Sequence, residues 1–177
     1  MKKHSQIINV ELFDSFEILQ RLNFEVGIYL ESASTFQEVK QESEDLEMKM
    51  GYMVRATYEF MELKVQCFID EYRNHFYRSL LTHYGNKFSD ELRQIDKLLN
   101  TLTGAFDIKT VRDHFIAHGF RISKGKKSVF RHWKELENIK RPNGEIEHLF
   151  VKKCIHDIDL VITEIHWKIR HSEENIN

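Results

Sequence analysis

The chain has 177 residues, 41% hydrophobic and 31% charged, with a net charge of −2. That length carries one compact core without help from a disulfide or a metal, and thirteen Phe with six Tyr exclude a disordered polar chain. Seven Gly and a single Pro leave little of the punctuation that strand-rich folds require, so the composition favours long helices.

Apolar residues recur at Leu12, Phe16, Leu19, Leu22, Val26 and Leu30 in steps of three and four, which predicts a first amphipathic helix. Residues 31–50 are acidic and polar, and read as a connection or a solvated helical start. The series Val54, Tyr58, Met61, Val65, Phe68, Tyr72 and Phe76 predicts a longer second helix, ended near Tyr84 by Gly85-Asn86. Ser89 or Asp90 is expected to cap a third helix carrying Leu92, Ile95, Leu98, Leu99 and Leu102, with Gly104 as its breaker. Asp107 can cap a fourth, which turns Ile108, Val111 and Phe115 inward. Residues 121–144 look irregular around a short helix near 133–139, with Gly125, Pro142 and Asn143-Gly144 as breakers. Val151, Ile155, Ile158, Ile162, Ile165 and Ile169 then mark a strong last helix, because a strand would alternate every second residue.

Face-to-face stacking of these elements predicts an all-α fold, an antiparallel bundle of four to five helices. One domain over 1–177 is expected, with its core at about 10–170 and both ends fraying. Cys67 and Cys154 sit in apolar patterns, which points to buried thiols and a reducing, cytoplasmic setting. Glu11 and Asp14 interrupt any leader-like apolar core after Ile7-Ile8, and no stretch approaches the roughly 18 apolar residues of a membrane span.

The densest chemistry lies in Val111-Arg112-Asp113-His114-Phe115-Ile116-Ala117-His118. A guanidinium binds phosphate oxygens through a planar fork, and imidazole moves protons near neutral pH, so the set suits phosphodiester chemistry without a metal. On an ideal helix, residues six apart stand about 120° around the axis and about 9 Å along it. Arg112 and His118 therefore converge only if the helix ends near Gly119, or if a second chain brings its own copy. His118 also continues the stripe of Val111 and Phe115, as a core histidine would.

Other chemistries find less support. His114 and His118 have zinc-helix spacing, but Phe115 stands where the Glu of such a helix belongs. Glu145-Ile146-Glu147-His148 is the one Glu-x-x-His, where a di-iron bundle needs two. No glycine-rich phosphate loop is present. No metal and no cofactor are expected.

Arg112, a following polar residue, five intervening positions and His118 preceded by Ala117 resemble the motif of the HEPN superfamily, the higher eukaryotes and prokaryotes nucleotide-binding domains. The segment Val54-Arg55-Ala56-Thr57-Tyr58-Glu59-Phe60, leading to Phe68-Ile69-Asp70-Glu71-Tyr72, is similar to the second helix of abortive-infection members of that group. The resemblance implies a metal-independent endoribonuclease of toxin or phage-defence type, acting as a homodimer with both motifs at one cleft. It implies that Arg112 clamps the scissile phosphate, that His118 is general base or acid for attack by the RNA 2′-hydroxyl, and that Asp113 orients them. His114 has no family role and ranks as auxiliary. An antitoxin protein is a possible partner, although Phe120 stands where the members regulated by a nucleotidyltransferase carry Tyr.

Charge is unevenly spread. Residues 109–141 hold ten Lys or Arg against three acids, a surplus of seven in a chain whose sum is −2. Arg121, Lys124, Lys126, Lys127, Arg131 and Trp133 follow the motif directly, and cations with an aromatic surface are what single-stranded RNA engages. Two further readings share these residues: a non-catalytic RNA- or nucleotide-binding helical module, and an oligomeric helical protein that binds a protein partner.

Overall fold

A helix that hides one stripe of side chains needs neighbours on either side of that stripe, and the last helix of this chain has them. The computed structural model describes residues 2–38, 44–111 and 140–174. These form α1 (Lys2–Glu38), α2 (Glu44–Glu71), a single π-helical turn (Tyr72–Phe76), α3 (Tyr77–Tyr84), α4 (Ser89–Ala105), α5 (Ile108–Val111) and α6 (Gly144–Glu174). Apart from 106–107 and 140–143, the described residues are helix and turn, without a strand. No helix among them is long and apolar enough to cross a membrane.

The predicted stripe of α6 is buried throughout: Val151, Ile155, Ile158, Ile162, Ile165 and Ile169 are each at most 1% exposed. It meets Leu12, Phe16, Leu19, Val26 and Leu30 of α1 and Leu92, Ile95, Leu99 and Leu102 of α4 in one apolar core. Polar ties set the direction of packing. Along α1 and α6, Gln20 bonds Thr163, Asn23 bonds Asp159 and Ser34 bonds Glu145, so the two run antiparallel. Ser15 bonds Glu71 and Lys64 bridges Glu25, which sets α2 antiparallel on the other flank of α1. Lys168 bridges Glu91 and holds the start of α4 beside the end of α6.

Three expectations about boundaries are corrected. Residues 31–38 continue α1 and residues 44–50 open α2, so most of the segment read as a connection is helix. Fully buried Ala33 keeps the inward stripe of α1 going, and Glu44, Asp45 and Glu47 suit the positive end of the α2 dipole. Ser89 is already helical, and buried Phe88 takes the N-cap position without a side-chain cap. Backbone bonds from Lys87 to Tyr84 and from Ser89 to Asn86 shape that turn instead. Gly104 lies inside α4, which stops only where Phe106 becomes extended. Cys154 is buried as expected, whereas Cys67 is partly exposed.

Other features follow the sequence. The rod α2–π turn–α3 ends at Tyr84, with Gly85 at φ 53°. The π turn buries Tyr72 and Phe76 together on the core side.

Asp159 is the costly group at the α1–α6 seam. Asn23 bonds its Oδ2, while Oδ1 is buried without a partner, and burial pushes the carboxyl above its ordinary range. A carboxyl raised in the folded state stabilises the fold at low pH and loses that contribution as pH rises through its folded value. Asp159→Asn should therefore raise the melting temperature at about pH 7–8, with the gain fading towards about pH 4. Thermal unfolding at several pH values checks this; an equal gain at every pH would refute the assignment.

Candidate functional site

In sequence, Arg112 to Trp133 fall between two described stretches that the fold pins to one place. On the entering side, Phe106 and Ile108 are buried, and α5 packs on α2. Asp107 caps α5 as expected, its Oδ1 accepting from the Thr110 N–H at 3.2 Å. The Asp107 N–H also donates to the Lys140 carbonyl at 2.6 Å. Residues 107 and 140 are thus joined by a backbone hydrogen bond, which holds the described residues on either side of 112–139 together.

The returning side is locked by charge. Glu62 of α2 is 1% exposed, and Arg141 donates from Nη2 to both of its oxygens at 3.1 and 3.2 Å. His148 of α6, 2% exposed, sits with Nε2 3.3 Å from Glu62 Oε1 and with Nδ1 2.7 Å from the Gly144 carbonyl. A carbonyl only accepts, so Nδ1 is the donor in the bond to Gly144. Tyr58 stacks on the imidazole at 3.9 Å, and burial, with Glu145 nearby, pushes its hydroxyl above the ordinary range.

Local sequence explains why these groups meet. Glu62 interrupts the inward stripe Tyr58, Met61, Val65, Phe68, and His148 opens the inward stripe Val151, Ile155, Ile158. Both helices therefore aim a polar group into the apolar core. A buried carboxylate is tolerated only with full pairing, which one guanidinium and one imidazole provide. Between them, Pro142 is buried and the Asn143 N–H donates to Glu147 Oε2 at 2.6 Å. Gly144 starts α6 at φ 72°, a left-handed backbone that favours glycine. A cavity of about 400 Å³ opens beside this cluster, lined by Val54, Arg55, Tyr58, Arg141, Asn143 and His148 among others.

The residues singled out in the sequence, Arg112, Asp113, His114, His118, Arg121, Lys124, Lys126, Lys127, Arg131 and Trp133, lie outside the described residues. The Glu62–Arg141–His148 cluster was not anticipated. The available signal was a charged residue on each of two otherwise apolar stripes, which in a helix means a buried pair more often than a tolerated defect. Among the described residues no group of three or more His, Cys, Asp or Glu is placed to hold a metal. No family model, curated protein or solved structure matches the chain.

Glu62→Ala should destabilise the fold by about 3–5 kcal/mol, since it leaves a buried imidazole without its carboxylate and removes the nearest anion from the part-buried Arg141. Lys49→Ala, which breaks an exposed pair with Asp45, should cost about 1 kcal/mol or less. Urea unfolding of the two variants measures the contrast, and equal losses would show that the buried cluster is not an anchor.

Proposed function

We propose that this chain is a metal-independent endoribonuclease of the HEPN type, of the toxin or phage-defence kind, working as a homodimer of HEPN-like helical bundles. Arg112 binds the scissile phosphate and stabilises the charge that grows on its oxygens, and Asp113 orients the pair. His118 serves as general base or acid. The RNA 2′-oxygen forms the new bond to phosphorus as its proton leaves, and the bond to the 5′-oxygen breaks as that oxygen gains a proton. The products are a 2′,3′-cyclic phosphate and a 5′-hydroxyl, and no oxidant or metal enters the balance.

The observation that carries the proposal is the Arg112-x5-His118 motif, followed at once by a strongly cationic stretch in an all-helical chain. Its setting supports it. Asp107 is bonded to Lys140 on either side of the motif-bearing stretch, and Arg141 is locked to α2 through Glu62. The segment 54–60, which shares the resemblance, lines the cavity next to that lock. Arg121, Lys124, Lys126, Lys127, Arg131 and Trp133 would hold the flanking RNA through phosphate charge and base stacking.

Arg112→Ala and His118→Ala should each lower cleavage of single-stranded RNA by about 100-fold or more, with helicity and oligomeric state unchanged. A chelator should leave the parent rate untouched. Parent-like rates in both variants would overturn the assignment. Salt-sensitive RNA binding without any cleavage by the parent would instead establish the non-catalytic module.

A further inference from the structure

A second concavity among the described residues lies away from α5 and the Glu62 cluster. It is a groove of about 530 Å³ between α1 and the rod formed by the end of α2, the π turn and α3. Two helices in contact normally turn apolar stripes towards each other. Beside that apolar contact the groove is lined by Glu11, Asp14, Ser15 and Ile18 on α1, and by Glu71, His75, Arg78, Ser79 and His83 on the rod. Glu11 to Asp14 is a step of three, and Glu71, His75, Ser79 and His83 step by four, with Ser15 and Arg78 beside them, so each set runs along one side of its helix.

One tie crosses the groove, from the Ser15 hydroxyl to Glu71 at 2.6 Å. Beyond it the walls carry opposite charge and stay unbridged. Glu11, Asp14, His75 and Arg78 make no ion pair and no side-chain hydrogen bond with the described residues. Elsewhere in the chain comparable charges close on each other, as Lys64 does on Glu25 and Lys168 on Glu91. Ser79 adds a hydroxyl oxygen buried in the wall without a protein partner, a group whose desolvation nothing in the chain offsets. The π turn forms part of the same wall, a helical irregularity that recurs at functional sites.

We propose that this groove binds a small zwitterion, whose ammonium group is held by Glu11 and Asp14 and whose carboxylate or phosphate is held by Arg78. A ligand with one charge satisfies one wall and leaves the other unmatched, whereas a zwitterion matches both. The guanidinium fork offers two parallel hydrogen bonds to either anionic group. His75 and His83 flank it as further hydrogen-bonding partners. This site is independent of the ribonuclease reading.

Titration calorimetry on the full chain tests the proposal. The probes are glycine, γ-aminobutyrate, lysine and phosphoethanolamine, with methylammonium, acetate and inorganic phosphate as single-charge controls. At least one zwitterion should bind with a Kd of about 1 mM or tighter, and at least tenfold more tightly than any control. Phosphoethanolamine against the amino acids distinguishes a phosphate from a carboxylate as the anionic group. Arg78→Ala and Asp14→Asn change exposed side chains, and each should weaken that binding at least tenfold, with circular dichroism unchanged. Binding should survive Arg112→Ala, which separates this site from the nuclease motif. No heat from any zwitterion at about 10 mM, controls that bind as tightly, or variants that bind like the parent would each overturn the proposal.

Discussion

The carboxylate of Glu62 is the constraint on which the arrangement around α5 and the start of α6 depends. It lies inside an apolar core, where a lone charge would cost several kcal/mol. Both of its oxygens are engaged by Arg141, and His148 approaches one of them. Satisfying that charge requires the chain to return to α2 at residue 141, and it fixes where α6 begins. Arg141 also pairs with Glu59, and His148 also bonds the Gly144 carbonyl and stacks on Tyr58, but Glu62 is the group that joins the two. An apolar residue at position 62 would pack α2 against α6 equally well but would not specify the point of return. The polar cluster therefore contributes position more than net stability.

That constraint gives the Arg112–His118 proposal its structural meaning. A motif whose two groups stand about 120° apart on an ideal helix needs its backbone held from outside. The Asp107–Lys140 hydrogen bond and the Arg141–Glu62 pair fix the described residues that flank 112–139. Catalysis by positioned side chains loses much of its advantage when placement drifts by an ångström, so an anchor of this kind belongs beside such a motif. The zwitterion groove follows the opposite logic. There opposite charges face each other without closing, and the hydrogen bonds that the Glu62 cluster completes internally are left for a ligand.

The sequence was legible where hydrophobic contrast is strong. Ile155, Ile158, Ile162 and Ile165 are all buried because a 3.6-residue period leaves them no other face. The turn at Gly85 and the cap at Asp107 were equally readable, since each depends on the local chemistry of one or two residues. Residues 31–38 and 44–50 were misread because their helical turns are largely solvated, and polar helix and polar loop look alike without an apolar stripe. The start of α4 was misplaced because a side-chain cap was expected where backbone bonds form the turn. Glu62 and His148 were visible only as exceptions in their stripes. That 86 residues of sequence separate them, with Arg141 as the third member, is a tertiary fact. The facing of Asp14 and Arg78 across one groove is of the same kind.

The most direct test of the account is a double-mutant cycle on unfolding free energy with Glu62→Gln, Arg141→Met and the pair together. The buried-anchor account predicts a coupling energy above about 1 kcal/mol, because Arg141→Met strands the buried Glu62 carboxylate and Glu62→Gln removes the nearest anion from Arg141. Additive losses, with a coupling near zero, would mean that Glu62 does not hold the returning chain, and the positional argument for the Arg112–His118 site would fail with it.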